Sequence, residues 1–178
     1  MRRAGAVIAA ALLALALAAA PASAGCGDAA DRAPNVKTRA AAERATLCLV
    51  NAQRAKRKLP VLRASGPLGR AAVKHSADMV ARRFFDHVNP DGLDQADRAA
   101  AAGYRGQVGE NIYTGTGSAA PTPRQAVRWW MGSAAHRKNI LAKGYREAGL
   151  GIAIGSPLGK GAGATYTNTF GIPAAQKG

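Results

Sequence analysis

Apolar positions recur at helical spacing in four stretches of the chain. Between Thr38 and Lys56 they lie on one face, and Pro60 follows at a point where a helix does not readily continue. Pro67 stands in the first turn of the next stretch, a position that tolerates proline. The pattern predicts helices at residues 38–56, 65–84, 93–102 and from 122 onward, with 133–141 continuing as helix or turn.

Near the C-terminus the spacing changes from helical to alternating. Apolar residues at 148, 150, 152 and 154 alternate with Gly and Ala, which is typical of a strand. Residues 165–171 are its predicted partner across a Gly-rich hairpin loop at 155–163, whereas the Gly-, Ser- and Thr-rich residues 106–121 are predicted to be irregular. Helices followed by strands indicate the α+β class, with helices packed on a small, mainly antiparallel sheet.

The N-terminus has the pattern of a secretory signal peptide. A basic start at Arg2 and Arg3 precedes an apolar run, Pro21 and the small residues Ala22-Ser23-Ala24. A membrane-anchoring helix is the alternative, but the run is short against the roughly 20 residues that span a bilayer. A lipoprotein would use Cys26, although Ser23 stands where that signal has a bulky aliphatic residue. We therefore expect a secreted, extracellular or periplasmic protein with no stable membrane span after signal removal.

Removal of residues 1–24 leaves enough chain for one domain with its own core. We expect an N-terminal tail at 25–37, the domain at 38–172 and a C-terminal tail at 173–178. Cys26 and Cys48 are the two cysteines of the chain, and an even pair in an exported protein predicts a disulfide. The alternative is one buried thiol and one free thiol in the tail.

The chain is strongly basic, with 25 Lys and Arg against 10 Asp and Glu and a net charge of +15. Such a charge influences which partners the protein binds but does not indicate its fold. Outside a cell the available polyanions include teichoic acids, acidic lipids, polysaccharides and nucleic acid. Abundant Arg is also ordinary in a chain this rich in Ala and Gly. Basic residues do not alternate with aromatic ones as in base-stacking surfaces, so we expect no nucleic-acid partner.

Histidine supplies the candidate chemistry, because it exchanges protons and binds metals near neutral pH. His87 follows Asp86 at a predicted helix end, and Glu110 lies in Gly109-Glu110-Asn111. A His–Glu pair can act in acid–base chemistry or form half of a metal site. The alternative is a structural contact that holds the long segment to the helix.

The remaining polar candidates have simpler explanations. Ser133 and His136 can share a helix face and resemble a nucleophile–base pair, but a capping serine and a packed histidine explain them equally. His75 lies on an apolar helix face, which favours a core histidine. Four residues, Asp86, Asn89, Asp91 and Asp94, could gather around calcium, but they lack EF-hand spacing and are typical turn formers.

Several short motifs occur in an order that resembles the bacterial branch of the CAP superfamily, which is named for cysteine-rich secretory proteins, antigen 5 and pathogenesis-related proteins. The resemblance covers about residues 45–172. Its motifs are Leu68-x-x-Ala71-Ala72-x-x-His75-Ser76-x-Asp78-Met79, Phe85-x-His87, Gly109-Glu110-Asn111-Ile112, Ala126-Val127-x-x-Trp130-x-x-Ser133-x-x-His136-Arg137-x-x-Ile140-Leu141, Gly149-Leu150-Gly151 and Tyr166-Thr167-Asn168-Thr169-Phe170-Gly171.

This resemblance implies an α-β-α sandwich with a central antiparallel sheet, secretion, and a cleft that holds two His and two Glu in many members. His87 matches one of the two His, and Glu110 matches one of the two Glu. Ser133 stands at the second Glu and Thr165 at the second His, so the chain departs from a two-histidine zinc site. His136 is placed to reach the same cleft.

The resemblance implies lipid or cell-envelope binding more readily than catalysis. We expect a secreted binding module with a polar His/Glu cleft, and a hydrolase that uses this cleft is the alternative. The candidate catalytic residues are His87, Glu110 and His136, and the expected binding residues are Ser133, Asn111 and Thr165. No cofactor is implied, His87 is the candidate ligand for a divalent cation, and the oligomeric state is open.

Overall fold

The computed structural model describes residues 25–174 of the chain. These residues form five α-helices and four strands. A short 3₁₀ helix at Asp28–Ala30 precedes them. They are, in order, α1 (Arg39–Ala55), β1 (Arg63–Ala64), α2 (Gly66–Arg82), α3 (Gln95–Ala101), β2 (Gly106–Gly117), α4 (Pro123–Gly132), α5 (Ala134–Leu141), β3 (Glu147–Ile154) and β4 (Ala162–Pro173). The predicted signal peptide, residues 1–24, and the end of the predicted C-terminal tail, residues 175–178, lie outside the described residues.

The four strands form one sheet in the order β1-β3-β4-β2. Strand β4 pairs antiparallel with both β3 and β2, which confirms the predicted antiparallel hairpin at the centre. Strand β1 adds one parallel pair to β3. It is two residues long, which is too short to show a hydrophobic period, and the pattern does not reveal it.

Strand β2 corrects the prediction that residues 106–121 are irregular. It pairs with β4 along its whole length, from Gly106 opposite Pro173 to Gly117 opposite Ala162. Its four glycines, with Glu110 and Asn111, have weak strand propensity, but tertiary pairing overrides local preference in sheets. The consequence for function is direct, since Glu110 lies on a rigid edge strand and not on a loop.

The two faces of the sheet differ in side-chain size. One face carries Ile152, Tyr166 and Phe170, which are buried against α1, α4 and α5. Trp130 on α4 is fully buried in this core and donates a hydrogen bond from Nε1 to the Ile112 carbonyl at 3.0 Å. This large apolar face is the main hydrophobic core of the described residues.

The opposite face is lined by small and polar residues because α2 lies directly on it. A Cβ atom on Gly149 would fall 2.1 Å from the Leu68 carbonyl carbon, and one on Gly151 would fall 2.2 Å from that of Ala72. Ser76 then reaches into the sheet and bonds the Gly151 carbonyl at 3.0 Å and the Thr167 hydroxyl at 2.7 Å. Helices on both faces give the predicted α-β-α sandwich.

The N-terminal segment predicted as a tail packs against the domain. Cys26 and Cys48 form the predicted disulfide, with sulfur atoms 2.07 Å apart. Ala30 is fully buried in the main core, and the Arg124 Nη2 atom on α4 lies 2.8 Å from a carboxylate oxygen of Asp31. No helix among residues 25–174 is long and apolar enough to cross a membrane.

Replacement of Gly151 by Ala tests the close approach of α2 to the sheet. The new methyl group would meet the α2 backbone near Ala72 and Val73, and overpacking of this kind costs about 1–3 kcal/mol or more. We expect urea unfolding to show a loss of at least that size.

Gly132→Ala is the matched control, because a Cβ there meets nothing within 4 Å. It is expected to leave the free energy of unfolding within about 1 kcal/mol of wild type. Equal stability of the two variants would contradict the packing described.

Candidate functional site

The carboxylate of Glu110 is the centre of a buried polar cluster beneath the cleft. Its side chain is 2% exposed, and a buried carboxylate needs charge and hydrogen-bond partners. His87 Nδ1 lies 2.9 Å from Oε1, and Arg98 Nη2 lies 3.0 and 2.9 Å from Oε1 and Oε2. The structure thus brings the predicted pair His87 and Glu110 together and adds Arg98 as the counterion.

Arg98 projects from α3 and is itself nearly buried. Its Nη1 donates hydrogen bonds to the backbone carbonyls of His87 at 2.8 Å and Leu93 at 2.7 Å. One guanidinium therefore holds both the carboxylate and the segment that carries His87. Because the two carboxylate oxygens are engaged by Arg98 and His87, Glu110 orients its neighbours and is poorly placed to abstract a proton.

His75 on α2 completes the cluster from below. It is fully buried, and Nε2 donates to the Asp86 carbonyl at 3.0 Å, so the neutral ring carries its proton on Nε2. Burial lowers the pKa of His75, and the Glu110 carboxylate, 3.7 Å from Nε2, only partly opposes this. Among the described residues, Nδ1 of His75 has no hydrogen-bond partner. His75 is therefore a core histidine as predicted, but only its Nε2 is hydrogen-bonded.

His87 presents a reactive nitrogen to the cleft. Its side chain is 44% exposed, and donation from Nδ1 to Glu110 leaves Nε2 as the acceptor. A carboxylate on one imidazole nitrogen fixes the tautomer and the ring orientation. No described residue bonds Nε2, which is available to a ligand.

His136 lies on α5, near enough to His87 for their charges to interact. Its Nδ1 is 2.8 Å from the Ser133 hydroxyl, and its ring lies 4.9 Å from that of Trp129, measured between centroids. Burial and, to a smaller extent, the charge that His87 can carry lower the pKa of His136. The two histidines are therefore electrostatic neighbours, with Ser133 beside one of them.

Asn111 is a positioning residue and does not line the cleft. The side chain is fully buried, so its predicted ligand-binding role stays a prediction for which the structure offers no exposed amide. Its Nδ2 donates to the His136 carbonyl at 3.0 Å, and its Oδ1 accepts from Asn139 at 2.9 Å. The side chain points to the opposite sheet face from Glu110 and ties α5 to β2.

Thr165 does not join the cleft. It is fully buried, and its hydroxyl bonds Thr114 at 2.9 Å and the Gly155 carbonyl at 3.0 Å. In the sheet it pairs with Thr114, four residues from Glu110 or about 13 Å along the strand. Thr165 is thus remote from Glu110 along the strand, whereas the charge of His87 contributes to the lowered pKa of His136.

The four polar residues of the 86–94 segment make turn and capping contacts. Asn89 Oδ1 accepts from the amides of Asp91 and Leu93, and Asp94 caps α3 by accepting from Ala96 and Asp97. Asp91 pairs with Arg82. These contacts support the turn-former interpretation.

A metal centre of the two-histidine, two-carboxylate kind does not fit the cleft. Glu110 is committed to Arg98 and His87, and Ser133 replaces a second carboxylate. Within residues 25–174, no group of three or more His, Cys, Asp or Glu is arranged to hold a metal ion.

A groove of about 590 Å³ lies between α2 and α3. Its lining is largely apolar and includes Ala71, Ala77, Ala81 and Ala101, with Arg70 and Lys74 also present. His75 and Arg98 line it too, so the groove borders the buried polar cluster around Glu110.

The model of the cysteine-rich secretory protein family, CAP, matches residues 47–169. This chain belongs to the CAP family. The match extends from the middle of α1 through most of β4, including His87, Glu110, Ser133 and His136. It confirms the family predicted from the motifs.

Relatives of this CAP protein are mostly longer. YkwD of Bacillus subtilis, an uncharacterized protein, is 34% identical over 110 residues, which are 61% of this chain and 41% of that protein. An extracellular protein from Bacillus anthracis that contains an SCP domain is 25% identical, with a TM-score of 0.63 over 75% of this chain and 41% of that one. An outer surface protein from Borrelia burgdorferi shares the fold, with a TM-score of 0.66, 14% identity and coverage of 80% of this chain and 100% of that one. The chain thus spans less than half of the curated relative's length.

Two site residues of this CAP protein escape sequence reasoning. Arg98 lies in an Ala-rich helix, where its charge gives no sign of burial. Trp129 is 47% exposed beside His136. The sequence could have indicated the exposure of one Trp. Adjacent Trp129 and Trp130 are about 100° apart on a helix, so both cannot point into the core, and only Trp130 does.

The lowered pKa of His75 predicts acid destabilisation. The unfolded chain takes up a proton near the ordinary value of 6.5, whereas burial disfavours the charged ring in the folded state. The unfolded state then binds more protons, so this contribution is present above that value and is lost as the pH falls below it. We expect the free energy of unfolding, measured with urea, to decrease from about pH 7 to about pH 5.

In His75→Gln the side-chain amide can still donate to the Asp86 carbonyl but does not titrate, so its stability should fall less steeply with acid. His136→Gln is the comparison, since burial also lowers the pKa of that histidine but its ring is only partly buried. Identical pH dependence of His75→Gln and wild type would rule out the assignment.

Proposed function

We propose that this protein is a secreted binding module for a lipid of the cell envelope, with the acyl chain in the α2–α3 groove and the polar His/Glu cleft beside it. The observation that supports the proposal best is the groove itself. Its volume of about 590 Å³ falls within the range of about 300–1,000 Å³ usual for ligand sites, which are mostly apolar with a few polar groups.

The shape of the groove favours a single extended chain. Ala71, Ala77 and Ala81 lie along α2, and Ala101 lies on α3. The distance along α2 from Arg70 to Ala81 is about 16 Å at the usual helix rise. Small side chains along that length leave room for an alkyl chain between the helices.

The charges around the groove favour an acidic head group. Asp78 and Asp91 lie at one part of the lining, and both pair with Arg82. Arg70 and Lys74 form no ion pair with any described residue. Their uncompensated positive charge suits a carboxylate or phosphate at the end of the chain.

The cleft is better built for binding than for proton transfer. Glu110 is held by Arg98 and serves to orient His87, whose free Nε2 can accept a hydrogen bond from a polar group of the ligand. Secretion is part of the proposal. The signal-peptide pattern of residues 1–24, the Cys26–Cys48 disulfide and the extracellular SCP-domain relative support it.

A series of fatty acids of increasing chain length tests the groove. Each buried CH₂ contributes about 0.8 kcal/mol, so affinity should rise about fourfold per carbon until the chain exceeds the groove. Isothermal titration with octanoate, decanoate, dodecanoate and tetradecanoate measures this dependence. Lys74→Gln should weaken carboxylate binding and leave the dependence on chain length intact.

Ala77→Trp should abolish binding, because Ala77 is exposed in the groove and an indole there fills it. Ala40→Trp, at an exposed position on α1, is the matched control and should bind as wild type does. Equal binding by the two tryptophan variants, or no saturable binding by wild type, would refute the proposal.

A hydrolase is the second candidate, and the Ser133–His136 contact of 2.8 Å favours it. In this case His136 would take the proton of Ser133 as the hydroxyl attacks an ester carbonyl. Turnover of p-nitrophenyl esters that is lost in both Ser133→Ala and His136→Gln would support this function. Turnover unchanged in either variant would eliminate it.

A further inference from the structure

Acidic residues are absent from two long segments that pack together. Residues 44–77 and 111–146 contain no Asp or Glu. The first segment includes most of α1, and the second contains α4 and α5, which pack on α1. Six of the ten acidic residues lie instead on α2, the following loop, α3 and β2, at positions 78, 86, 91, 94, 97 and 110. The net charge of +15 is therefore unevenly distributed over the fold.

Buried Arg54 brings the basic segments to one place. Its guanidinium is fully buried near the end of α1, and it donates to the carbonyls of Pro60 at 2.8 Å, Ile140 at 2.8 Å and Ala142 at 2.9 Å. It also donates to Tyr145 at 3.2 Å. The turn after α1 and the segment after α5 thus converge on the same side chain.

Five exposed cations surround this point, and we call them the basic end: Lys56, Arg57, Lys58, Lys143 and Arg146. None of the five forms an ion pair within residues 25–174. The acidic residue next to them in sequence, Glu147, is paired with Arg63 at 3.5 Å. The positive charge of Arg146 also contributes, after burial, to a lowered pKa of Arg54, so like charges are held close together.

We propose that the basic end is a docking surface for a linear polyanion of the cell envelope, one with phosphodiester groups along its backbone. Crowded like charges are unfavourable in the free protein, and a polymer with repeated anionic groups relieves them at several positions at once. Arg57 and Arg146 supply planar donor groups that match phosphate oxygens, and the lysines add point charges. This surface is separate from the groove, and its use does not depend on the proposed lipid ligand.

The composition of the basic end favours a polymer over a bilayer or a nucleic acid. Binding in the membrane interface is strengthened by apolar side chains that insert among the lipids, and among the large exposed apolar side chains of the described residues only Val61 lies in the turn after α1. Single-stranded nucleic acid is bound by aromatic side chains on which bases stack. The exposed aromatic side chain Trp129 packs against His136 at the cleft.

Three charge-neutralising substitutions test the surface. Lys56→Gln, Arg57→Gln and Lys143→Gln are combined, which leaves Arg146 in place because it bonds the backbone carbonyl of Tyr145. The control triple is Arg44→Gln, Arg105→Gln and Lys160→Gln, exposed cations outside the basic end that give the same change in net charge. Binding of each protein to poly(glycerol phosphate) without a lipid anchor is measured against salt concentration.

The slope of log affinity against log salt should decrease by about 2 for the triple at the basic end, at about 0.7 per lost contact. Its affinity at about 0.15 M salt should fall roughly tenfold or more, while the control triple stays near wild type. Thermal unfolding confirms that both triples are folded.

Equal losses in the two triples would show that net charge alone is responsible and would overturn the proposal. Tighter binding to phosphatidylglycerol vesicles or to single-stranded DNA than to the polymer, with the same dependence on the basic end, would overturn it too. Titration of both triple variants with fatty acids measures ligand binding in the α2–α3 groove independently of the basic end.

Discussion

A carboxylate buried in a protein interior is stable only with compensating charge and hydrogen bonds, and the Glu110 side chain obtains these from two parts of the chain. Arg98 comes from α3 and His87 from the loop before it, while His75 of α2 packs beside the carboxylate and bonds the Asp86 carbonyl. The demand of one carboxylate thus holds the loop and α3 against the edge strand β2. Removing the charge of Glu110 or of Arg98 would leave the other charge buried and unpaired. The same contacts therefore determine the architecture of the cleft and its electrostatics.

The unequal faces of the sheet explain why a groove exists on one side and a dense core on the other. Large side chains such as Tyr166 and Phe170 fill the space beneath α1 and α4. On the other face Gly149 and Gly151 let the α2 backbone rest on the sheet, so α2 is anchored by its backbone and by Ser76. Its outer alanines are then left uncovered beside α3. The position that delivers His75 to Glu110 also leaves the groove open.

Two buried arginines organise different parts of the molecule by different chemistry. Arg98 neutralises Glu110, whereas Arg54 is surrounded by backbone carbonyls and by further positive charge. The charge at Arg98 is therefore compensated beside the polar cleft, and the charge around Arg54 is not. A ligand site and a polymer-docking surface built from different residues would let one small domain bind both at once.

Local pattern by itself determined much of this protein: the helices, the central hairpin, the disulfide, the family and the candidate pair His87–Glu110. Each of these depends on residue spacing, on the number of cysteines or on motifs and their order along the chain. The pattern misses strand β2 because its glycines weaken the local strand preference, which pairing with β4 overrides. Only the tertiary structure revealed Arg98 as the counterion of Glu110 and buried Thr165 beside Thr114, since burial and charge pairing between distant segments arise from packing and leave no periodic trace in the chain.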